Sequence, residues 1–199
     1  FRSMFSSPTA IRVLKKQDPG YLKKHDVSSL RHLFLAGEPL DEPTARWIAE
    51  ALNVLVLDHY WQTETGWAIL SSMPGVEKTP SKFGSPSFPA YGYDVRLLHE
   101  STGVEVGANE KGVVTVVPPL PPGCMSTVWG QDERFVQTYF TSFKDRLIYT
   151  TFDWGIRDED GYYFILGRTD DVINVAGHRL GTREIEEAVS GHANIAEVA

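Results

Sequence analysis

A single cysteine, Cys124, stands among 199 residues, so an internal disulfide framework is excluded and a reducing, cytoplasmic setting is expected. No apolar run approaches the ~20 residues that span a bilayer, and the start, Phe1-Arg2-Ser3-Met4-Phe5, lacks the layout of a signal peptide. A membrane is therefore not an expected partner. Basic charge is in short supply: 19 Lys and Arg against 26 Asp and Glu leave a formal net charge of −7. That balance argues against a broad electrostatic surface for nucleic acid, and any anionic ligand must be held by local donors. Familiar catalytic signatures are missing as well. There is no Walker phosphate loop, no dinucleotide glycine fingerprint and no nucleophile elbow. The histidines at 25, 32, 59, 99, 178 and 192 have no metal-binding spacing, and Cys124 follows two prolines and a glycine with no base beside it. The acidic cluster in Arg157-Asp158-Glu159-Asp160-Gly161 lacks the calcium-loop pattern and is expected to be a hairpin turn.

What is present is enough apolar material, 42% of residues, for a substantial core. Ser7 can cap a helix that Pro8 opens, running to about Gln17, with Ile11 and Leu14 on one face. Leu30 to Ala36 is a strand ending at the turn Gly37-Glu38-Pro39. Asp41 caps a helix carrying Ala45, Ile48, Ala49 and Leu52 at helical spacing. The continuous run Val54-Leu55-Val56-Leu57 predicts a parallel strand buried on both faces, and the polar segment Asp58 to Gly66 then lies where ligands bind in such sheets. After Met73-Pro74-Gly75, short strands at Tyr93–Leu98, Val113–Val117, Leu147–Thr151 and Tyr162–Leu166, with a short helix over Asp132–Phe140, predict an antiparallel, barrel-like unit. A polar break at Asp170 precedes a fresh strand, Val172–Val175, a turn at Gly177 and a helix from Thr182 with Ile185, Ala188 and Val189 inward. The fold class expected is α/β in three parts: the end of a parallel-sheet subdomain (1–75), a β-rich subdomain (76–169) and the start of a small α+β domain (170–199).

Two long motifs, Tyr60-Trp61-Gln62-Thr63-Glu64-Thr65-Gly66 and, about a hundred residues later, Gly167-Arg168-Thr169-Asp170-Asp171-Val172-Ile173-Asn174-Val175-Ala176-Gly177-His178-Arg179, resemble the adenylate-forming acyl-CoA synthetases. The similarity runs the whole length and is greatest to their short-chain branch. It implies a two-step reaction in which ATP and a carboxylate give an acyl-adenylate and pyrophosphate, and the CoA thiol then displaces AMP. The substrates implied are a short carboxylate, ATP and CoA, with Mg2+ as the metal; nothing in the chain signals an oligomeric state.

Residue by residue, the resemblance implies Glu64 as the Mg2+ ligand and Thr63 as the hydrogen-bond partner of the α-phosphate or the acyl-adenylate. It implies nucleotide contacts from Gly37, Glu38 and Pro39 along adenine, from Asp58 near the adenine amino group, and from His59, Tyr60, Trp61 and Gln62. Asp153 matches the ribose-binding aspartate and Arg168 the ribose- or phosphate-contacting arginine, and Arg179 belongs to the same set unless it merely pairs with Glu184 or Glu186. Trp61 matches the indole that closes the acyl pocket. His59-Tyr60, together with Leu120 to Cys124, favours propionate over acetate. Ser7, Ala176 and Gly177 match the CoA side, although Ser7 serves equally as a helix cap and Glu38 as a helix-start carboxylate. Asp170 matches the hinge of the small domain. One departure stands out: the family has glycine before the ribose aspartate, where this chain has Phe152. A phosphate loop upstream and a catalytic lysine downstream are also implied but absent, so the chain is expected to be an internal piece, inactive alone.

Overall fold

The computed structural model describes residues 1–38, 40–175 and 178–181, with 185, 189 and 195 as single positions. The chain divides into two compact units, residues 1–92 with 121–125, and residues 93–120 with 126–199.

In the first unit β1 (Ser3–Ser6) leads into α1 (Pro8–Lys15), and β2 (His32–Leu35), α2 (Glu42–Leu52), β3 (Leu55–Tyr60) and β4 (Leu70–Ser71) follow. Both helices begin as their sequences dictate. Ser7 accepts a hydrogen bond from the Ala10 N–H at 3.3 Å, and Asp41 accepts one from the Thr44 N–H at 2.9 Å, each satisfying a donor that the first turn leaves open. Helix α2 ends where Asn53 turns left-handed at φ 51°. The sheet order is β1-β2-β3-β4, with β1, β2 and β3 parallel and β4 antiparallel to β3. Ile11, Leu33, Leu35, Ala45 and Ile48 pack between helices and sheet, each no more than 2% exposed. Burying such a side chain stabilises by roughly 1.5–3 kcal/mol.

Two expectations are corrected here. Strand β3 does not stop at Leu57: it continues through Asp58, His59 and Tyr60, because β4 supplies partners at His59↔Ser71 and Tyr60↔Leu70. Nor is the aliphatic run buried on both faces, since Leu55 is 39% exposed. Val56 packs on the helix side, whereas the opposite face carries Phe5, Phe34 and His59 ring against ring and is only partly covered by described residues.

The second unit holds β5 (Asp94–Leu98), β6 (Gly112–Val117), α3 (Asp132–Tyr139), β7 (Tyr149–Arg157) and β8 (Tyr163–Arg168). These strands form an antiparallel sheet in sequential order, β5-β6-β7-β8. The antiparallel reading holds, but among the described residues the sheet is an open meander rather than a closed barrel. The acidic cluster is the β7–β8 hairpin turn, in which the Asp158 carboxylate accepts from the Asp160 and Tyr162 backbone N–H groups at 3.0 and 2.8 Å. Beyond it β9 (Val172–Val175) and β10 (His178–Gly181) pair antiparallel. The expected turn at Gly177 and helix from Thr182 lie outside the described residues, apart from isolated helical positions at Ile185 and Val189.

Candidate functional site

In the first unit the parallel register sets Leu35 beside Asp58, so the turn after β2 and the end of β3 are neighbours, as the strand–helix–strand reading requires. Asp58 borders a small cavity that also touches Lys82, Ser85 and Ser87. Its volume of about 20 Å3 admits roughly one water and not a base. The serines were not among the sequence candidates; no motif spacing distinguishes them from loop serines, and only folding brings them to Asp58.

After Tyr60 the chain makes a tight 3-10 turn over Thr63–Thr65. Thr65, 2% exposed, anchors it: its hydroxyl accepts from the Gln62 N–H at 3.1 Å and lies 2.9 Å from both the Gln62 and Trp67 carbonyl oxygens. The turn is also clasped from outside. The Met125 N–H donates to the Glu64 carbonyl at 2.6 Å, and Gly66, at φ 64°, sits so close to the Gly123 carbonyl oxygen that a Cβ would collide with it. With its backbone held, the turn leaves Thr63 exposed and Glu64 half-buried.

Trp61 is 40% exposed and meets the Phe5 ring edge-on at 6.5 Å. Phe5 also meets His59 at 5.3 Å, and His59 meets Phe34 at 5.8 Å. Burial lowers the His59 pKa, outweighing a backbone hydrogen bond at Leu35 that raises it, and Nδ1 is buried without a partner among the described residues. The imidazole is therefore neutral near neutral pH and acts as an aromatic packing element.

Glu38 and Ser7 have structural employment. The Glu38 carboxylate accepts from the Thr9 N–H at 2.8 Å and from the Thr9 hydroxyl, and pairs with Arg12 at 2.8 Å. Burial alone would raise its pKa, but these donors overcome that and hold it below the ordinary carboxylate value. Ser7 caps α1. Ser7 thus makes the cap contact its sequence reading offered, whereas Glu38 is tied to the first turn and the arginine of α1. Pro39 lies outside the described residues.

In the second unit Asp153 is 7% exposed on β7 and stands in register with Arg168 on β8. Arg168 donates from Nε and Nη2 to the two oxygens of Asp170 at 2.9 and 3.0 Å, and from Nη1 to the Thr151 carbonyl at 3.3 Å. The guanidinium thereby lowers the Asp170 pKa. Thus Asp153, Arg168 and Asp170, three of the four polar residues singled out in this unit, are gathered at one end of the β7–β8 pair. Beside Asp153, Phe152 adopts φ 61°, a left-handed conformation that glycine takes freely, at the position where the resemblance implies glycine. Arg179 is paired backbone to backbone with Asn174 in the β9–β10 hairpin, whereas Ala176 and Gly177 lie outside the described residues.

Among the described residues no three His, Cys, Asp or Glu side chains gather as a metal cluster, and no helix is long and apolar enough to cross a membrane.

The family model described as AMP-binding enzyme matches residues 1–125. The chain is 63% identical over 196 residues to the propionate–CoA ligase of Escherichia coli K12, covering 98% of this chain and 31% of that protein. It is 42% identical over 198 residues to the acetyl-coenzyme A synthetase of Rhodobacter capsulatus, covering 98% of this chain and 30% of that one. The chain thus spans about a third of the length of these curated relatives. Among solved structures, an anthranilate CoA ligase in complex with anthranoyl-AMP superposes with a TM-score of 0.78 at 27% identity, covering 98% of this chain and 35% of that one.

Proposed function

Because this chain belongs to the family of AMP-binding enzymes, we propose that the protein is a short-chain acyl-CoA synthetase that converts ATP, propionate and CoA to propionyl-CoA, AMP and pyrophosphate through an acyl-adenylate. The observation that carries this reading is the 63% identity to a propionate–CoA ligase along 98% of the chain. Acetate is the second substrate to weigh, since acetyl-coenzyme A synthetases are 42% identical over the same span.

In the first half-reaction the carboxylate oxygen attacks the α-phosphorus, the bond to pyrophosphate breaks, and negative charge accumulates where two anions meet. Donors fixed in advance are worth most at such a place. Thr63 offers an exposed hydroxyl on a turn whose backbone is tied down by Thr65 and Met125, and it donates to the α-phosphate. Glu64 supplies hard oxygen on the same turn. Since Mg2+ commonly takes one or two protein carboxylates and completes its shell with phosphate and water, a lone glutamate suits it better than an all-protein cage would. When bound, the ion neutralises phosphate charge. Asp58 takes the adenine amino group, beside the turn at Gly37.

Trp61 limits the acyl chain by filling the space a longer acid needs. In the second unit the two oxygens of Asp153 match the vicinal hydroxyls of ribose, and Arg168 assists from the neighbouring strand. In the second half-reaction the CoA thiol attacks the acyl carbonyl and AMP leaves, with Ser7, Ala176 and Gly177 on the CoA side, Arg179 in the adjoining hairpin and Asp170 as the hinge between the β-rich part and the residues that follow.

The test is carboxylate-dependent exchange of pyrophosphate into ATP by the complete gene product, followed by kcat/KM for acetate, propionate and butyrate. Propionate is expected to exceed butyrate by about tenfold or more, the usual worth of one methylene against a closed pocket. Acetate ranking first would change the substrate, and absence of exchange with all three acids would leave only a nucleotide-binding or structural role.

A further inference from the structure

Phe152 is a bulky residue at φ 61°, where a side chain crowds its own backbone and where such a conformation persists only if the surroundings impose it. Those surroundings are specific. The Phe152 ring meets Tyr139 edge-on at 6.1 Å, and Tyr139 in turn stacks flat on Tyr149 at 5.3 Å, so the ring has a firm aromatic backing. The Arg168 guanidinium lies 5.7 Å from the Phe152 ring centre, within cation–π range. The backbone takes part too: the Phe152 carbonyl accepts from the Thr169 N–H at 2.8 Å, one residue before Asp170. Flanking it, the Thr151 carbonyl accepts from Arg168, and Asp153 follows directly in the chain. A left-handed residue therefore sits at the point where the aspartate, the arginine and the strand leading to Asp170 are fixed to one another.

From this geometry we propose that Phe152 is a positioning residue for nucleotide binding: its ring, braced by Tyr139, holds the Arg168 guanidinium in place, while its left-handed backbone sets the direction of Asp153. The inference rests on the reading of Asp153 and Arg168 as ribose and phosphate contacts. A purely structural aromatic would need only bulk, whereas holding a cation needs the π-face. Glycine would keep the backbone direction and lose the ring, and leucine would keep bulk and lose the face.

The experiment compares Phe152→Tyr, Phe152→Leu and Phe152→Gly in the complete gene product, with thermal unfolding to establish that each is folded. Glycine accepts this φ without strain, so at least that variant is available for assay. The Tyr variant is expected to keep KM for ATP within about twofold of the parent, whereas Leu and Gly raise it about fivefold, with KM for the carboxylate unchanged in all three. If folded Leu or Gly variants retain the parental KM for ATP, or if KM for ATP and for the carboxylate rise together, the positioning role is overturned. Failure of the underlying reading looks different: the parent protein itself would show no carboxylate-dependent pyrophosphate exchange.

Discussion

Gly66 faces two demands that no side chain meets together, a left-handed backbone at φ 64° and a neighbouring Gly123 carbonyl where a Cβ would go. Gly66→Ala is therefore expected to destabilise by about 3 kcal/mol or more, measured by denaturant unfolding, and to loosen the turn that presents Thr63 and Glu64. The motif around it was legible in the sequence, but its clasp was not, because Gly123 lies far along the chain. Trp61 makes the opposite case, a large side chain whose role is to occupy space. Trp61→Gly is expected to raise kcat/KM for butyrate relative to propionate about tenfold or more, and an unchanged ratio would remove Trp61 from the acyl pocket. Phe5, itself set against His59, braces that indole from one side, a contact that no local pattern announced.

At the scale of elements, α1 and α2 were readable because capping and helical spacing are local: Ser7-Pro8 and Asp41 start helices wherever they stand before an apolar stripe. Strands β1 and β4, four and two residues long, were missed, since so few residues carry no usable alternation and exist only by pairing. The helices are joined by polar contacts as well as packing. Arg12 on α1 pairs with both Glu38 and Asp41, which precede α2, at 2.8 and 3.1 Å. Against the opposing effect of burial, hydrogen bonds lower both carboxyl pKa values from 4.5 and 3.8. A lowered folded-state pKa contributes stability above the unfolded value, which is lost as pH falls through the folded one. Glu38→Gln is thus expected to cost at most about 1 kcal/mol near neutral pH, because the pair is a third exposed, and to flatten the loss of stability between about pH 5 and pH 3. Parallel thermal-unfolding series on both proteins check this; identical slopes would remove Glu38 from the linkage.

At the scale of the molecule, the proposed chemistry draws on a Mg2+ ion that Glu64 would share with phosphate and water, no group of three or more His, Cys, Asp or Glu side chains being gathered among the described residues. Removing Mg2+ with EDTA is expected to abolish pyrophosphate exchange and excess Mg2+ to restore it, while the unfolding temperature without nucleotide stays within about a degree, since a single carboxylate without bound phosphate adds little metal-linked stability. A fall of several degrees on chelation would instead indicate a structural metal. By itself the sequence determined the α/β class, the capped helices, the antiparallel second half and the family, because spacing, caps and long motifs are properties of neighbouring residues. Tertiary structure alone decided that β3 runs on to Tyr60, that the antiparallel sheet stays open, that Glu38 is tied to Thr9 and Arg12, and that Phe152 stands left-handed against Arg168. Each of these depends on a partner distant in sequence, and the free energy of such a contact exists only once the chain has brought both sides together.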